Sequence, residues 1–127
     1  MPISFDGESE IELGNAWLKR ANSKNYHHFF PKSYLKKKGY EDWAINTISN
    51  ITLVDDHLNK LTIGSKSPSV YMKHFIKENK NIDQTMRTHL IDNLDDFGVM
   101  SDDYETFVEK RSNKILKEIN KRLNPKT

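Results

Sequence analysis

Tyr26-His27-His28-Phe29-Phe30-Pro31, answered later by Asn50-Ile51-Thr52-Leu53-Val54 and then Asn59, is the stretch that decides the fold. Its aromatic and β-branched residues suit short strands. Pro31 has no N–H to give to a ladder and closes the first strand. Asp55 and Asp56 offer a cap and first-turn acids to a helix over residues 56–61. Between the strands, Ser33 to Lys38 turns helically before Gly39 as a C-cap, and residues 40–49 read as an irregular connection. The order is strand, insert, returning strand, short helix: a ββα hairpin over residues 26–61.

Outward from that hairpin the signals become helical. On the N-terminal side, residues 1–12 show no period and read as a loosely ordered lead. Asn15 caps a short helix over 15–22 with Trp17, Leu18 and Ala21 inward. On the C-terminal side, Ser67-Pro68 is a cap followed by proline at the first helical position, opening a helix whose stripe is Val70, Tyr71, Phe75 and Ile76. Residues 83–94 place Met86, Leu90, Ile91 and Leu94 on one face. Ser101 caps a long helix with Asp102 and Asp103 in its first turn. Its stripe of Tyr104, Phe107, Val108, Ile115, Leu116, Ile119 and Leu123 is interrupted by Arg111. Two short strands bury little alone, so the helical tail must supply most of the core. The expectation is one α+β domain, mostly helical, over residues 1–127. It comprises a lead with a short helix (1–25), the hairpin core (26–61) and a bundle of about three helices (67–123).

The chain has 127 residues and no cysteine, which excludes a disulfide framework, a thiolate zinc site and a cysteine nucleophile. Its apolar runs fall far short of the roughly 20 residues that span a bilayer. The acidic beginning (Asp6, Glu8, Glu10, Glu12) lacks the basic and apolar regions of a signal peptide, so the cytoplasm is the expected compartment and no membrane the expected partner. Charge is blocked along the chain, although the formal net is only +2. Residues 13–40 carry bases and no acid, residues 92–109 acids and no base, and residues 110–127 mostly bases. The first block, with Tyr26, Phe29, Phe30, Tyr34 and Tyr40 interleaved, is either solvated surface or a face for a phosphate backbone. The basic end complements the dipole of the long helix.

The chemistry-bearing residues lie around the hairpin. Singly, a histidine pair at a strand end serves packing or hydrogen bonding, and a lone asparagine says less. In order they offer more. Neighbouring strand residues point to opposite faces, so one histidine can hold a metal while the other meets a water. A phosphodiester hydrolase needs a base near neutral pH and a cation to offset phosphate charge. His57 falls on the far side of its helix from Asn59, Asp55 and Asp56 read as caps, and His74 and His89 read as surface or core histidines.

The segments His27-His28-Phe29-Phe30-Pro31-Lys32-Ser33-Tyr34-Leu35, Ile48-Ser49-Asn50-Ile51-Thr52-Leu53, Leu58-Asn59-Lys60 and Gly64-Ser65-Lys66-Ser67-Pro68-Ser69 resemble the HNH (ββα-metal) nuclease family. The His28-x-x-Pro31 step and the nine-residue interval between Asn50 and Asn59 carry the likeness. The pattern is most similar to the C-terminal HNH domain of GmrSD-type modification-dependent restriction and phage-defence proteins. The resemblance implies His28 as general base, Asn50 as the brace of the hairpin loop, and His27 and Asn59 as ligands of one divalent ion. His27 stands where aspartate is commoner. Mg or Mn is the ion implied in function, with Zn or Ni able to take an imidazole site. DNA is the implied substrate, with Arg20, Lys32, Lys60 and Lys66 as candidates for phosphate contact. A separate N-terminal sensing domain or a homo-oligomer would supply specificity. A catalytically inactive nucleic-acid-binding or assembly module and an RNA-directed toxin nuclease are the alternatives.

Overall fold

The structure is a computed structural model that describes residues 3–7, 26–54 and 58–124. Strand β1, Tyr26–His28, pairs antiparallel with β2, Ile51–Leu53, in the register Tyr26↔Leu53, His27↔Thr52, His28↔Ile51. The ladder gains one more bond where the Phe29 amide donates to the Asn50 carbonyl at 2.7 Å. The strand ends at His28, two residues short of the expected close at Pro31, and Pro31 then leads into α1, Lys32–Lys37. Gly39 follows this helix with φ +92°, a left-handed position that glycine takes without strain.

The connection expected to be irregular contains a one-turn helix, α2 (Asp42–Ile45), and a 3₁₀ turn, Ile48–Asn50. After β2, a π-helical turn over Asn59–Ile63 ends at Gly64. The cap Ser67 and Pro68 open α3, Pro68–Glu78, as the sequence predicts. The Ser67 side chain does not cap it. Asp102 does that work from the far end of the chain, accepting from the Ser69 amide at 2.9 Å and its hydroxyl at 2.6 Å. Helix α4 runs from Ile82 to Thr88, shorter than the expected 83–94. The chain leaves the helix at His89, and Leu90 takes φ 63°. Leu90 thus leaves the helix face it was expected to share with Met86. The long helix α5, Tyr104–Leu123, is capped by Asp103, which accepts from the Thr106 amide, and not by Ser101.

The fold is α+β and mostly helical, with a two-stranded antiparallel sheet. Its core gathers around the bend just after the histidine pair. Phe29 stacks on Phe107 of α5 (4.8 Å, 11°), and Phe30 packs against Phe107 and Tyr104. From α3, Tyr71 donates its hydroxyl to the Phe29 carbonyl at 2.6 Å.

Four expectations are corrected here. Residues 3–7 are a packed strap: Phe5 is 1% exposed and meets Phe29, Phe75 and His89 edge-on. Phe29 and Phe30 are buried in the core, so these two aromatics of the basic block are closed to stacking, whereas Tyr26 is exposed. Helix α3 buries Tyr71, Met72 and Phe75, and leaves Val70 and Ile76 exposed. Helix α5 buries Tyr104, Phe107 and Arg111, whereas Leu116, Ile119 and Leu123 are exposed because the helix runs past the core. The helix expected over 15–22 lies outside the described residues. Among the described residues, no helix is long and apolar enough to cross a membrane.

Candidate functional site

An open groove of about 440 Å³ lies beside the end of β1. His27 and His28 both border it, facing Asn59 and Gly64 of the π-helical turn, while Lys32 and Lys36 of α1 form its basic rim. Both residues of the pair border this one groove, at neighbouring positions of a strand that stops at His28 before the chain bends at Phe29-Phe30. The buried phenylalanines anchor that bend.

Asn50 is fully buried and stands behind the groove. Its Oδ1 accepts from the Phe30 amide at 2.8 Å, and its Nδ2 donates to the carbonyls of Phe30 (3.1 Å) and Ile45 (3.0 Å). One carboxamide thus ties the strand end to the insert, with every bond shielded from water. It fixes the bend at Phe30 that follows β1.

Arg111, which interrupts the apolar stripe of α5, directs its guanidinium at backbone carbonyls. It is 6% exposed, and its Nη1 donates to the carbonyls of Ser49 (2.9 Å) and Ile51 (2.7 Å), with a longer contact to Ile48. Its Nε donates to the His89 carbonyl at 3.2 Å. Burial pulls the guanidinium down to about 10, so it stays charged at neutral pH. Helix α5 thereby pins the 3₁₀ turn and the start of β2, the segment that carries Asn50.

The other candidates separate by position. Lys32 lines the groove. Lys60 sits on the exposed surface of the π-helical turn, outside the groove lining. Lys66 donates to the Thr62 carbonyl at 3.1 Å and borders a different depression beside Leu61 and His74. Arg20 lies outside the described residues, as do Asp55, Asp56 and His57. His74 is a half-exposed partner of Glu78 at 3.3 Å. His89 is a core histidine whose Nε2–H donates to the Ile3 carbonyl at 2.7 Å. Burial lowers its pKa to about 4, aided by the nearby Arg111 charge and opposed by the bond to Ile3. Sequence reasoning overlooked one residue that lines the groove and one outside it that bonds to His28. Lys36 lines it and also pairs with Asp42 at 3.4 Å. Asn46, at the end of α2, bonds its Oδ1 to His28 Nε2 at 2.7 Å.

Among the described residues, no three His, Cys, Asp or Glu side chains gather into a group able to hold a metal. His27 and Asn59 border the groove, and an imidazole nitrogen and a carboxamide oxygen are donor types that divalent ions accept.

No family profile and no solved structure matches the chain. It is similar to the uncharacterized protein MJ0686 of Methanocaldococcus jannaschii, with 30% identity over 115 residues, covering 73% of this chain and 20% of that protein. The chain spans about a fifth of the length of the curated relative it matches.

Proposed function

We propose that the chain is a metal-dependent DNA endonuclease of the HNH (ββα-metal) type, the cutting module of a restriction or anti-phage defence system acting in the cytoplasm. The observation that carries this reading is the groove itself. His27, His28 and Asn59 border one space with a lysine rim, and the buried Asn50 holds the loop behind it.

In this reading His28 accepts a proton from a water, and that water attacks phosphorus in line with the departing 3′ oxygen. His27 and Asn59 would hold one divalent ion, Mg or Mn in function with Zn or Ni able to replace it, which supplies charge neutralisation at the phosphate. Lys32 and Lys36 hold the DNA backbone, and the products carry 5′-phosphate and 3′-hydroxyl ends. Recognition of sequence or modification falls to a partner domain or to a second copy.

The test is plasmid nicking with Mg, Mn, Ni and Zn in parallel, beside a gel shift in EDTA. Cleavage that needs metal and is lost in His28→Ala supports the reading. Binding without cleavage under every metal replaces it with the inactive binding module. Cleavage of RNA but not DNA replaces the substrate.

A further inference from the structure

We propose that Asn46 is a positioning residue that fixes the tautomer and the ring orientation of His28. For its catalytic meaning the inference rests on the nuclease reading above; the tautomer itself does not depend on it.

The argument begins with donors and acceptors. Asn46 Oδ1 is a carbonyl oxygen and can only accept, so at 2.7 Å from Nε2 it requires the imidazole proton on Nε2. A neutral ring protonated at Nε2 carries its lone pair on Nδ1. That nitrogen is the one left to take a proton from water. His28 lines the groove, whereas Asn46 borders a different depression, beside Ile51, Thr52 and Arg111. The ring is therefore held from outside the groove by a residue that has no place among the groove's own lining.

The placement of Asn46 is itself controlled. It is the C-cap of α2, and its amide donates to the Asp42 carbonyl at 2.9 Å. The residue before it, Ile45, is fully buried and gives its carbonyl to Asn50 Nδ2 at 3.0 Å. Asn50 also clasps both backbone groups of Phe30, two positions beyond His28. One buried carboxamide thus sets the spacing between the chain that carries the imidazole and the turn that carries its partner. The sequence between Pro31 and Asn50 has a purpose beyond connecting strands: it brings an acceptor back to the base.

The Nε2···Oδ1 bond is on the surface, so its loss leaves the fold intact and changes what the ring does. Asn46→Ala should lower kcat roughly 10- to 100-fold, the range for removing a group that orients a functional imidazole, with KM little changed because Asn46 does not line the groove. Asn46→Asp keeps an acceptor oxygen and should recover most of the rate.

The experiment joins those rates to ring-nitrogen NMR of His28 in the metal-free protein. The expected result is a ring protonated at Nε2 in the wild type and in Asn46→Asp, and a mixture of tautomers in Asn46→Ala. A wild-type ring protonated at Nδ1 overturns the proposal. So does loss of rate in Asn46→Ala without a change at the ring, or a change at the ring without loss of rate. If the wild-type chain cleaves no nucleic acid with any metal, the nuclease reading falls separately, and the NMR measurement alone decides whether Asn46 sets the tautomer.

Discussion

The carboxamide of Asn50 grips Phe30 by both of its backbone groups, accepting from the amide at 2.8 Å and donating to the carbonyl at 3.1 Å. Phe30 lies two residues past His28, so this pair of bonds sets where the strand end stops. Asn50→Ala strands the Phe30 amide and two carbonyls in a dry interior, at a cost of roughly 2–4 kcal/mol. Asn50→Asp should not rescue, because two of the three bonds need an N–H donor and a carboxylate has none. Urea unfolding followed by circular dichroism checks both variants. A midpoint close to wild type for Asn50→Asp would show that the brace is not what holds the loop.

His28 is half-buried and borders the groove, so His28→Ala should leave stability within about 1 kcal/mol of wild type, as substitutions away from a core usually do. Cleavage should fall about 10²–10⁴-fold, the usual worth of a general base. Excess EDTA should stop the wild-type reaction, and added Mn should restore it. Nicking by His28→Ala at the wild-type rate removes the imidazole from the chemistry.

Two of the lysines named as candidates for phosphate contact should behave differently. Lys32 lines the groove and Lys66 borders a separate depression. Lys32→Ala should weaken DNA binding and reduce the salt slope of log Kd by about 1, the signature of one lost phosphate contact. Lys66→Ala should change neither. Titrations at several salt concentrations, with metal absent, decide between them.

Histidine 89 gives the fold a pH dependence whose sign follows from its burial. Its pKa is lowered to about 4 in the folded chain, against an ordinary value of 6.5. Between those values the unfolded state binds a proton that the folded state refuses. Stability is therefore complete above pH 6.5 and is lost as the pH falls toward 4. At about 1.4 kcal/mol per pKa unit the loss is of order 3 kcal/mol. Unfolding midpoints measured from pH 7.5 to 4 should trace it, and His89→Leu should flatten that part of the profile. The Ile3 carbonyl accepts from this ring, so hydrogen exchange at the residue 3–7 strap should quicken over the same interval.

Arg111 predicts an asymmetry between substitutions. Arg111→Met orphans the carbonyls of Ser49, Ile51 and His89, and should cost roughly 2–4 kcal/mol. Arg111→Lys keeps the charge but lacks the planar fork that reaches acceptors on two segments, and should recover less than half of that loss. Thermal unfolding of the two variants settles the ordering.

Local signals carried the parts of the fold that local chemistry decides. The turn at Gly39 and the start of α3 at Ser67-Pro68 were legible because glycine and proline act on their own backbone. Residues farther apart than a helical turn were not. The strap at Phe5 holds to His89 through the Ile3 carbonyl across most of the chain, and nothing in the first residues has a period that announces it. Arg111 looked like a polar interruption because its acceptors are carbonyls, which every residue possesses. Asp102 was read as a first-turn acid of its own helix, and it caps α3 instead. At the candidate site, His27, His28, Asn50 and Asn59 stood out by residue type and order. Asn46 did not, because it lies in the stretch read as an irregular connection, where an asparagine carries no signal of its own.

The hairpin has only three residues in each strand, and two such strands cannot keep a shape by their ladder alone. Its rigidity comes from Arg111 and Phe107 on α5 and Tyr71 on α3. A peptide cut to residues 26–66 would keep all four motif side chains and lose those distant supports, so it should be shapeless in water. The motif is not portable: grafting it elsewhere requires a host that supplies its own wedge behind the turn and its own aromatic shelf beneath the bend.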